Sequence, residues 1–157
     1  MRALFLALGC ALALMSSPVQ AQDKPDAERT SAEWLALIQA DKKAIVGRSM
    51  DLTPEESAKF WPLYDGFQRE LAVPQNTVTR VLLDYIAAGQ TLTDANAKRL
   101  IEQMHSAEKE ELRLREKHFR QLLRVLPARK AARYVQIENK IQAVVRYESA
   151  KAVPLAR

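Results

Sequence analysis

Residues 94–126, DANAKRLIEQMHSAEKEELRLREKHFRQLLRVL, decide the fold, because they contain neither glycine nor proline and have the pattern of one long helix. Thr93 precedes them as an N-cap, and Asp94 places negative charge in the first turn. At ~1.5 Å per residue, this helix would be about 50 Å long. Because so long a helix cannot cover its own apolar side, the sequence predicts that other segments pack along it.

Two rows of side chains follow the predicted helix. The first has the three- and four-residue spacing of a buried helix face, and it comprises Ile101, Met104, Leu112, Phe119, Leu122 and Leu126. The second is basic and lies almost opposite, and it comprises Arg113, Lys117, Arg120 and Arg124, extended by Arg129 and Arg133. We therefore expect one side of this helix to contact a core and the other to present positive charge.

The basic row has two interpretations. Residues 113–133 contain eight Lys or Arg and a single acid, Glu116, although the whole chain has a net charge of only +5. The row either attracts acidic, unfolded or lipid-bound partners by long-range electrostatics, or it is a solvated face. A solvated face would carry Glu111–Arg115 and Glu116–Arg120 pairs, each contributing about 0.3 kcal/mol.

Three charged residues stand within apolar rows: Glu108 and Arg115 in the long helix, and Glu138 near the end of the chain. Buried charges are tolerated mainly when they are paired. We therefore expect these residues to form ion pairs between helices that set the register of packing, and we do not expect acid–base chemistry from them.

The N-terminus is typical of an exported protein. Arg2 supplies positive charge, residues 3–15 are apolar, and small residues lead up to Ala21. This order predicts a signal peptide cleaved after Ala21, followed by a flexible N-terminus over residues 22–30. No later segment is apolar over the ~20 residues that a membrane span needs. We therefore expect the periplasm as the destination, where a nucleic-acid partner is not expected.

The first predicted helix begins at the capping box formed by Thr30 and Glu33. It continues to about Val46, where Gly47 is a plausible terminator. We expect a single helical domain over residues 31–149.

The second predicted helix has equally clear ends. Thr53 is its N-cap, Glu56 completes a second capping box, and Gly89 is the natural C-cap. Because Pro62 and Pro74 each remove a backbone donor, we expect a bent helix over residues 54–88, or else two helices split near Pro74.

Only residues 90–93 connect this helix to the long one, and so short a link favours antiparallel neighbours. Pro127 ends the long helix and starts a fourth, which runs to about Ser149 and leaves residues 150–157 as a tail. No stretch alternates like a strand. The predicted class is all-α, with four helices built on a long antiparallel helical hairpin, and a cradle-shaped dimer is a further expectation.

An aromatic group is formed by one residue of the first helix and four near the start of the second. Its members are Trp34, Phe60, Trp61, Tyr64 and Phe67. The group either joins the first two helices or contributes to a binding surface, where aromatic residues are favoured contacts. Because the adjacent Phe60 and Trp61 cannot both face one core, we expect Trp61 to be the residue that contacts a partner.

Two positions resemble a known motif. Leu52, Thr53 and Glu56 resemble the L-T-x-x-Q motif of Spy/CpxP-type periplasmic stress proteins. Those proteins have a similar order of elements: an export signal, this motif at a helix start, a long hairpin, and a second L-T-P-E-Q-type start. Leu126 and Pro127 keep part of the second motif, which lacks its Thr and Gln here, and Glu56 replaces the first Gln.

This resemblance covers about residues 50–145. It implies a thin, curved, four-helix protein that dimerises into a cradle. Members of the family bind unfolded client proteins, inhibit an envelope-stress sensor kinase, or sense metals.

The sequence favours neither a metal site nor an enzyme. His105 and Glu108 are the candidate ligands, and the two of them fall short of the three or four that a transition-metal site needs. No cofactor is expected. The predicted mature chain has no cysteine nucleophile, glycine-rich phosphate loop or serine elbow.

The leading hypothesis is an exported helical binding protein, ATP-independent and chaperone-like, which holds unfolded or partner proteins on a basic and partly apolar face as a homodimer. The first alternative is an accessory or metal-responsive regulator that binds the periplasmic domain of an envelope sensor kinase. The second alternative is a structural envelope protein whose basic face contacts anionic lipid.

Overall fold

The computed structural model describes residues 29–155, which form four α-helices and no strand. The helices are α1 (Ser31–Met50), α2 (Pro54–Ala88), α3 (Asp94–Val125) and α4 (Ala128–Ala152), and a short 3-10 turn at Gly89–Thr91 lies between α2 and α3. The predicted all-α class is confirmed. The predicted signal peptide and most of the predicted flexible N-terminus lie outside the described residues.

The helix starts are those that the sequence predicts. The side chain of Thr30 accepts a hydrogen bond from the backbone N–H of Glu33, whose carboxylate accepts one from the N–H of Thr30. Thr53 and Glu56 form the same reciprocal pair at α2, and Thr93 accepts from the third residue of α3. Each cap satisfies backbone donors that the first helical turn leaves without partners.

Two predicted helix ends are wrong. Gly47 does not terminate α1, which continues to Met50 and ends where Asp51 adopts the left-handed conformation (φ 50°). Gly47 instead lies inside the helix against the ring of Trp61, which is 3.5 Å from the position of an added Cβ. At the other end of the chain, α4 extends three residues past Ser149.

A local break interrupts α1 at Asp41, whose backbone is extended (φ −158°, ψ 79°). Its carboxylate accepts a hydrogen bond from the N–H of Ala44 at 2.8 Å, as an N-cap does. Asp41 therefore restarts the helix that it interrupts.

The alternative of two helices split near Pro74 is wrong, because α2 is continuous through both Pro62 and Pro74. Apolar residues continue on one side of α2 beyond the prolines, and Val81 is buried there like Leu71 before them. Packing of this side against α3 offsets the backbone hydrogen bonds that the prolines remove.

The core has two parts. The larger joins α1, α4, the start of α2 and the end of α3, and its most buried large side chains are Val46, Met50, Phe60, Leu122 and Tyr134. The smaller lies between α2 and α3 and consists of Phe67, Leu71 and Leu114. Most backbone contacts between helices join α1 to α4 and α2 to α3, whereas α3 and α4 approach each other over a shorter stretch.

Buried Glu138 connects three helices. It is 4% exposed, and its carboxylate accepts hydrogen bonds from Lys42 of α1 at 2.8 Å, Gln68 of α2 at 3.4 Å and the Tyr134 hydroxyl of α4 at 3.0 Å. The predicted interhelical ion pair is confirmed for this residue.

We expect Glu138→Ala to lower the free energy of unfolding by about 3 kcal/mol. The change leaves the Tyr134 hydroxyl without its acceptor and the Lys42 ammonium with only the neutral amide oxygen of Gln68. Urea unfolding followed by circular dichroism measures the change. Glu108→Ala is the matched control, since Glu108 is exposed and pairs with no residue of 29–155. Equal stability of the two variants would contradict this role for Glu138.

Candidate functional site

Half of the apolar row predicted to be buried on α3 is exposed. The exposed fraction is 56% for Ile101, 58% for Leu112 and 40% for Phe119, and the neighbouring Leu123 is also exposed. These four residues, separated by 11, 7 and 4 positions, lie on one side of the helix. We call them the exposed apolar row.

The row that contacts the core is displaced by about a quarter of a turn. It comprises Leu100, Ala107, Glu111, Leu114, His118 and Leu122. Of the residues predicted to be buried, Leu122 and Leu126 are buried and Met104 is half-buried. The prediction is wrong for Ile101, Leu112 and Phe119, because the buried row contains the polar Glu111 and His118, which apolar periodicity does not count.

Glu108 and Arg115 do not form the predicted ion pairs between helices. Glu108 is exposed because it lies on the side of the exposed apolar row, away from α2. Arg115 pairs within α3, with Glu111 at 2.6 Å. The link to α4 is made by Gln142, which donates a hydrogen bond to Glu111.

The basic row divides into paired and unpaired members. Arg113 makes two hydrogen bonds to Glu110, which lower the pKa of that carboxyl, and Lys117 reaches Glu70 of α2 at 2.8 Å. Arg120 and Arg124 are exposed and form no ion pair with any residue of 29–155. The Glu116–Arg120 pair of the solvated-face interpretation is therefore not formed, whereas its Glu111–Arg115 pair is.

Arg129 and Arg133 occupy a different place. They line a surface depression of about 750 Å³, where the end of α1 meets the start of α4, together with Met50, Asp51, Lys130, Ala132 and Gln136. Within the described part of the chain, neither arginine has an acidic partner. The predicted extension of the basic row is thus a second basic surface.

The two motif positions meet in space. Leu126 is buried at the end of α3, and Pro127 is the N-cap of α4. Lys130, in the first turn of α4, donates hydrogen bonds to the Glu56 carboxylate at 2.5 Å and to the Asp51 carbonyl at 2.9 Å. The hydrogen bond from Lys130 lowers the pKa of Glu56. Leu52 is half-buried against the larger core, so the motif residues hold helix ends together.

The aromatic group joins helices. The Phe60 ring is fully buried, and the half-buried Trp61 ring meets it edge-on at 4.9 Å. The Lys43 ammonium of α1 lies 5.1 Å from the centre of the Trp61 ring, and Gly47 lies against the same ring. Trp61 therefore contacts α1 while keeping part of its surface open, and its predicted role in binding a partner remains a prediction.

A narrow groove runs between α3 and α4. Its volume is about 290 Å³, and its lining is mostly apolar and aromatic: Phe67, His118, Phe119, Leu122, Tyr134 and Val135. Charged and polar groups lie along its sides, namely Arg115, Glu116, Glu138 and Asn139. Because Phe119 belongs to both surfaces, the groove is continuous with the exposed apolar row.

His118 is the residue of this groove whose role the sequence does not reveal. Its ring is 3% exposed, stacks on Phe67 at 4.1 Å and meets the Tyr134 ring edge-on at 5.5 Å. Neither ring nitrogen has a hydrogen-bond partner within residues 29–155. Burial lowers the pKa of His118 to about 4, and the Glu70 carboxylate acts weakly in the opposite direction. The sequence indicates the burial of His118 only through its helical spacing from Leu114 and Leu122.

The candidate metal ligands are not brought together with others. Among residues 29–155, no three His, Cys, Asp or Glu side chains are grouped closely enough to hold a metal ion. His105 is exposed on α3, whereas His118 is buried. None of the described helices combines the length and the apolar character required to cross a membrane.

No protein-family model, curated protein or solved structure matches this chain. The resemblance to Spy/CpxP-type proteins therefore rests on the motif residues and the order of elements.

We expect acid to weaken the fold through His118. Its pKa is about 4 in the folded chain against 6.5 in the unfolded one, so the unfolded state takes up the proton first. Stability is complete above about pH 6.5 and falls as the pH drops towards 4, by roughly 2 kcal/mol at about pH 5. His118→Leu should remove this loss and leave stability at neutral pH equal or higher, because no polar atom remains unsatisfied.

Urea unfolding at several pH values measures this effect. His105→Gln is the control, since it removes the other histidine from an exposed position of the same helix. A decline with acid that is as large in His118→Leu as in the unchanged protein would contradict the assignment.

Proposed function

We propose that this protein is an exported, ATP-independent holding protein of the periplasm, which binds unfolded proteins on α3 and performs no catalysis. The observation that supports this proposal is the exposed apolar row, which has no covering element among the described residues. Large apolar side chains at this spacing on a helix that already has a buried side are typical of a surface that binds other chains.

Two features suit such a surface to unfolded clients. Arg120 and Arg124 form no ion pair within residues 29–155 that a client would have to break, so they attract acidic segments at no internal cost. Each Leu, Ile or Phe of the row is about half exposed, so a client that covers it fully contributes about 1 kcal/mol per side chain. Several such contacts along α3 would give binding that is reversible without ATP.

Two alternatives stay open as proposals, each with its own surface. The depression beside Arg129 and Arg133 has the charge to bind anionic lipid headgroups, as a structural envelope protein would. A regulator of a sensor kinase would instead bind one folded domain and ignore unfolded chains. Flotation with anionic vesicles tests the first of these, and crosslinking in envelope extracts tests the second.

We expect the chain from residue 22 onward to suppress aggregation of a chemically unfolded client at about equimolar dose, and less well at high salt, because screening weakens the attraction by the arginines. Replacing Leu112 and Phe119 by Ser should weaken suppression at every salt concentration. Arg120→Glu with Arg124→Glu should weaken it mainly at low salt. Light scattering measures each effect.

The matched control is Val73→Ser with Leu83→Ser, which removes two exposed apolar side chains from α2 and leaves α3 intact. Equal loss in the control pair would show that any exposed apolar residue serves, against a specific surface on α3. No suppression by the unchanged chain at any salt concentration would contradict the proposed function.

We also propose that α3 pairs with α3 of a second copy when no client is present. The charge of the helix is divided: residues 94–111 carry three basic and five acidic side chains, and residues 112–125 carry five basic and one acidic. An antiparallel pair centred near Leu112 brings the acidic half of each copy beside the basic half of the other, and it covers the exposed apolar row.

Leu112→Cys should therefore form a disulfide-linked dimer on mild oxidation, because a two-fold axis near residue 112 places the two thiols together. Cys10, within the predicted signal peptide, is the only native cysteine, so the background from residue 22 onward is free of thiols. Val73→Cys on α2 is the control and should stay mostly unlinked on non-reducing electrophoresis. An unfolded client should reduce linkage at position 112, and equal linkage of both variants would exclude this pairing.

A further inference from the structure

His118 lies where three helices meet. Its ring, from α3, is stacked in parallel on Phe67 of α2 (interplanar angle 3°) and meets Tyr134 of α4 edge-on. Both ring nitrogens are buried without a hydrogen-bond partner within the described range. Buried polar atoms are usually satisfied, so two such atoms on one side chain need an explanation.

The surroundings of His118 suit a neutral imidazole. Among the described residues, they provide an imidazolium with no buried carboxylate that is not already paired. On α2, the nearest influential carboxylate is that of Glu70, which Lys117 of α3 already neutralises at 2.8 Å. On α3 itself, the positive charge of Arg115 is already paired with Glu111. The carboxylate of Glu116 also lines the groove, but it is exposed to solvent.

The same holds on the side of α4. The Glu138 carboxylate already receives Lys42 of α1, Gln68 of α2 and the hydroxyl of Tyr134. Burial raises the pKa of Tyr134 far above its usual range, and the Glu138 carboxylate raises it further, so the phenol stays neutral. A proton on His118 would therefore create a buried charge with two donors and no acceptor among residues 29–155, which is strongly unfavourable.

The structure also indicates which helix contact protonation of His118 would break. The groove that His118 lines already separates α3 from α4 on one side, and these two helices approach each other over only a short stretch. In contrast, α2 and α3 pack along much of their lengths. Moving α4 away at Tyr134 admits water to the imidazolium and keeps the packing of α2 on α3. The cost is the contact of the Tyr134 ring with Phe60 and Tyr64 on α2.

We propose that His118 is an acid-operated switch, whose protonation displaces α4, opens the groove and adds the apolar floor of the groove to the surface that holds unfolded proteins. This inference rests on the proposed function. The surface that becomes available consists of Phe67, Leu122 and Tyr134, and it adjoins the exposed apolar row at Phe119.

The switch would work over a physiological range of acid stress. Because the pKa of His118 is about 4 in the closed state and returns towards 6.5 when the ring is hydrated, protonation favours the open state below about pH 6.5. Between about pH 7.5 and about pH 5, the ratio of open to closed molecules should rise by up to about 30-fold.

The test uses three forms of the chain from residue 22 onward: unchanged, His118→Leu and His105→Gln. For each form, the fluorescence of bis-ANS and the suppression of aggregation of one unfolded client are measured from about pH 7.5 to about pH 5. We expect both signals to rise with acid in the unchanged chain and in His105→Gln, and to stay near their neutral values in His118→Leu. The client and pH are common to all three forms, so effects of acid on the client cancel.

The outcomes separate the two proposals. A bis-ANS rise that depends on His118, without client holding at any pH, would support the switch and contradict the proposed function. Client holding that is equal at both pH limits would support the function and overturn the switch, as would an acid response that His118→Leu retains. Should His118→Leu fail to fold, NMR titration of the two imidazoles in the unchanged chain decides instead, and an ordinary pKa near 6.5 for His118 would overturn the switch.

Discussion

The fold depends on the side chain of Tyr134, which connects α4 to both α2 and α3. Its ring meets Phe60 at 5.3 Å and Tyr64 at 6.2 Å on α2, and His118 at 5.5 Å on α3. Its hydroxyl donates to Glu138, which is bonded in turn to α1 and α2. A helix that packs chiefly on α1 is thereby linked to the other two through side chains, and this linkage creates both the larger core and the groove beside it.

Helix ends depend on local chemistry, and for that reason the sequence predicts most of them. Thr30, Thr53 and Thr93 each cap the helix that follows through a hydrogen bond to a residue three positions on, so these caps do not depend on tertiary contacts. Gly47 shows the limit of such reasoning, because glycine also serves where another side chain approaches closely, here the ring of Trp61.

The face that α3 buries depends instead on its neighbours. Leu112 and Leu114 are equally apolar, yet the first is exposed and the second is buried, because α2 and α4 both approach from the side of Leu114. The polar atoms of Glu111 and His118 are buried on that side as well. Apolar periodicity does not predict the burial of Glu111, because that burial depends on the ion pair with Arg115 and the hydrogen bond from Gln142. The sequence does not predict the exposed apolar row or the burial of His118, because both depend on which side of α3 the neighbouring helices cover.

Two features lower the stability of the isolated chain: the exposed apolar row, and the buried His118, whose ring nitrogens have no hydrogen-bond partner in the part of the chain that the structure describes. Exchanging Leu112 for a polar residue, or His118 for an apolar one, would relieve these costs without disturbing the caps, the Glu138 network or the aromatic core. Residues that break local rules without a compensating contact are expected where a protein binds or moves. Here the two features lie on the same helix and meet at Phe119, at the rim of the groove. The proposed role of α3, a surface that binds clients and responds to acid, explains why an exposed apolar row and a buried histidine adjoin each other. A purely structural role for α3 explains neither feature.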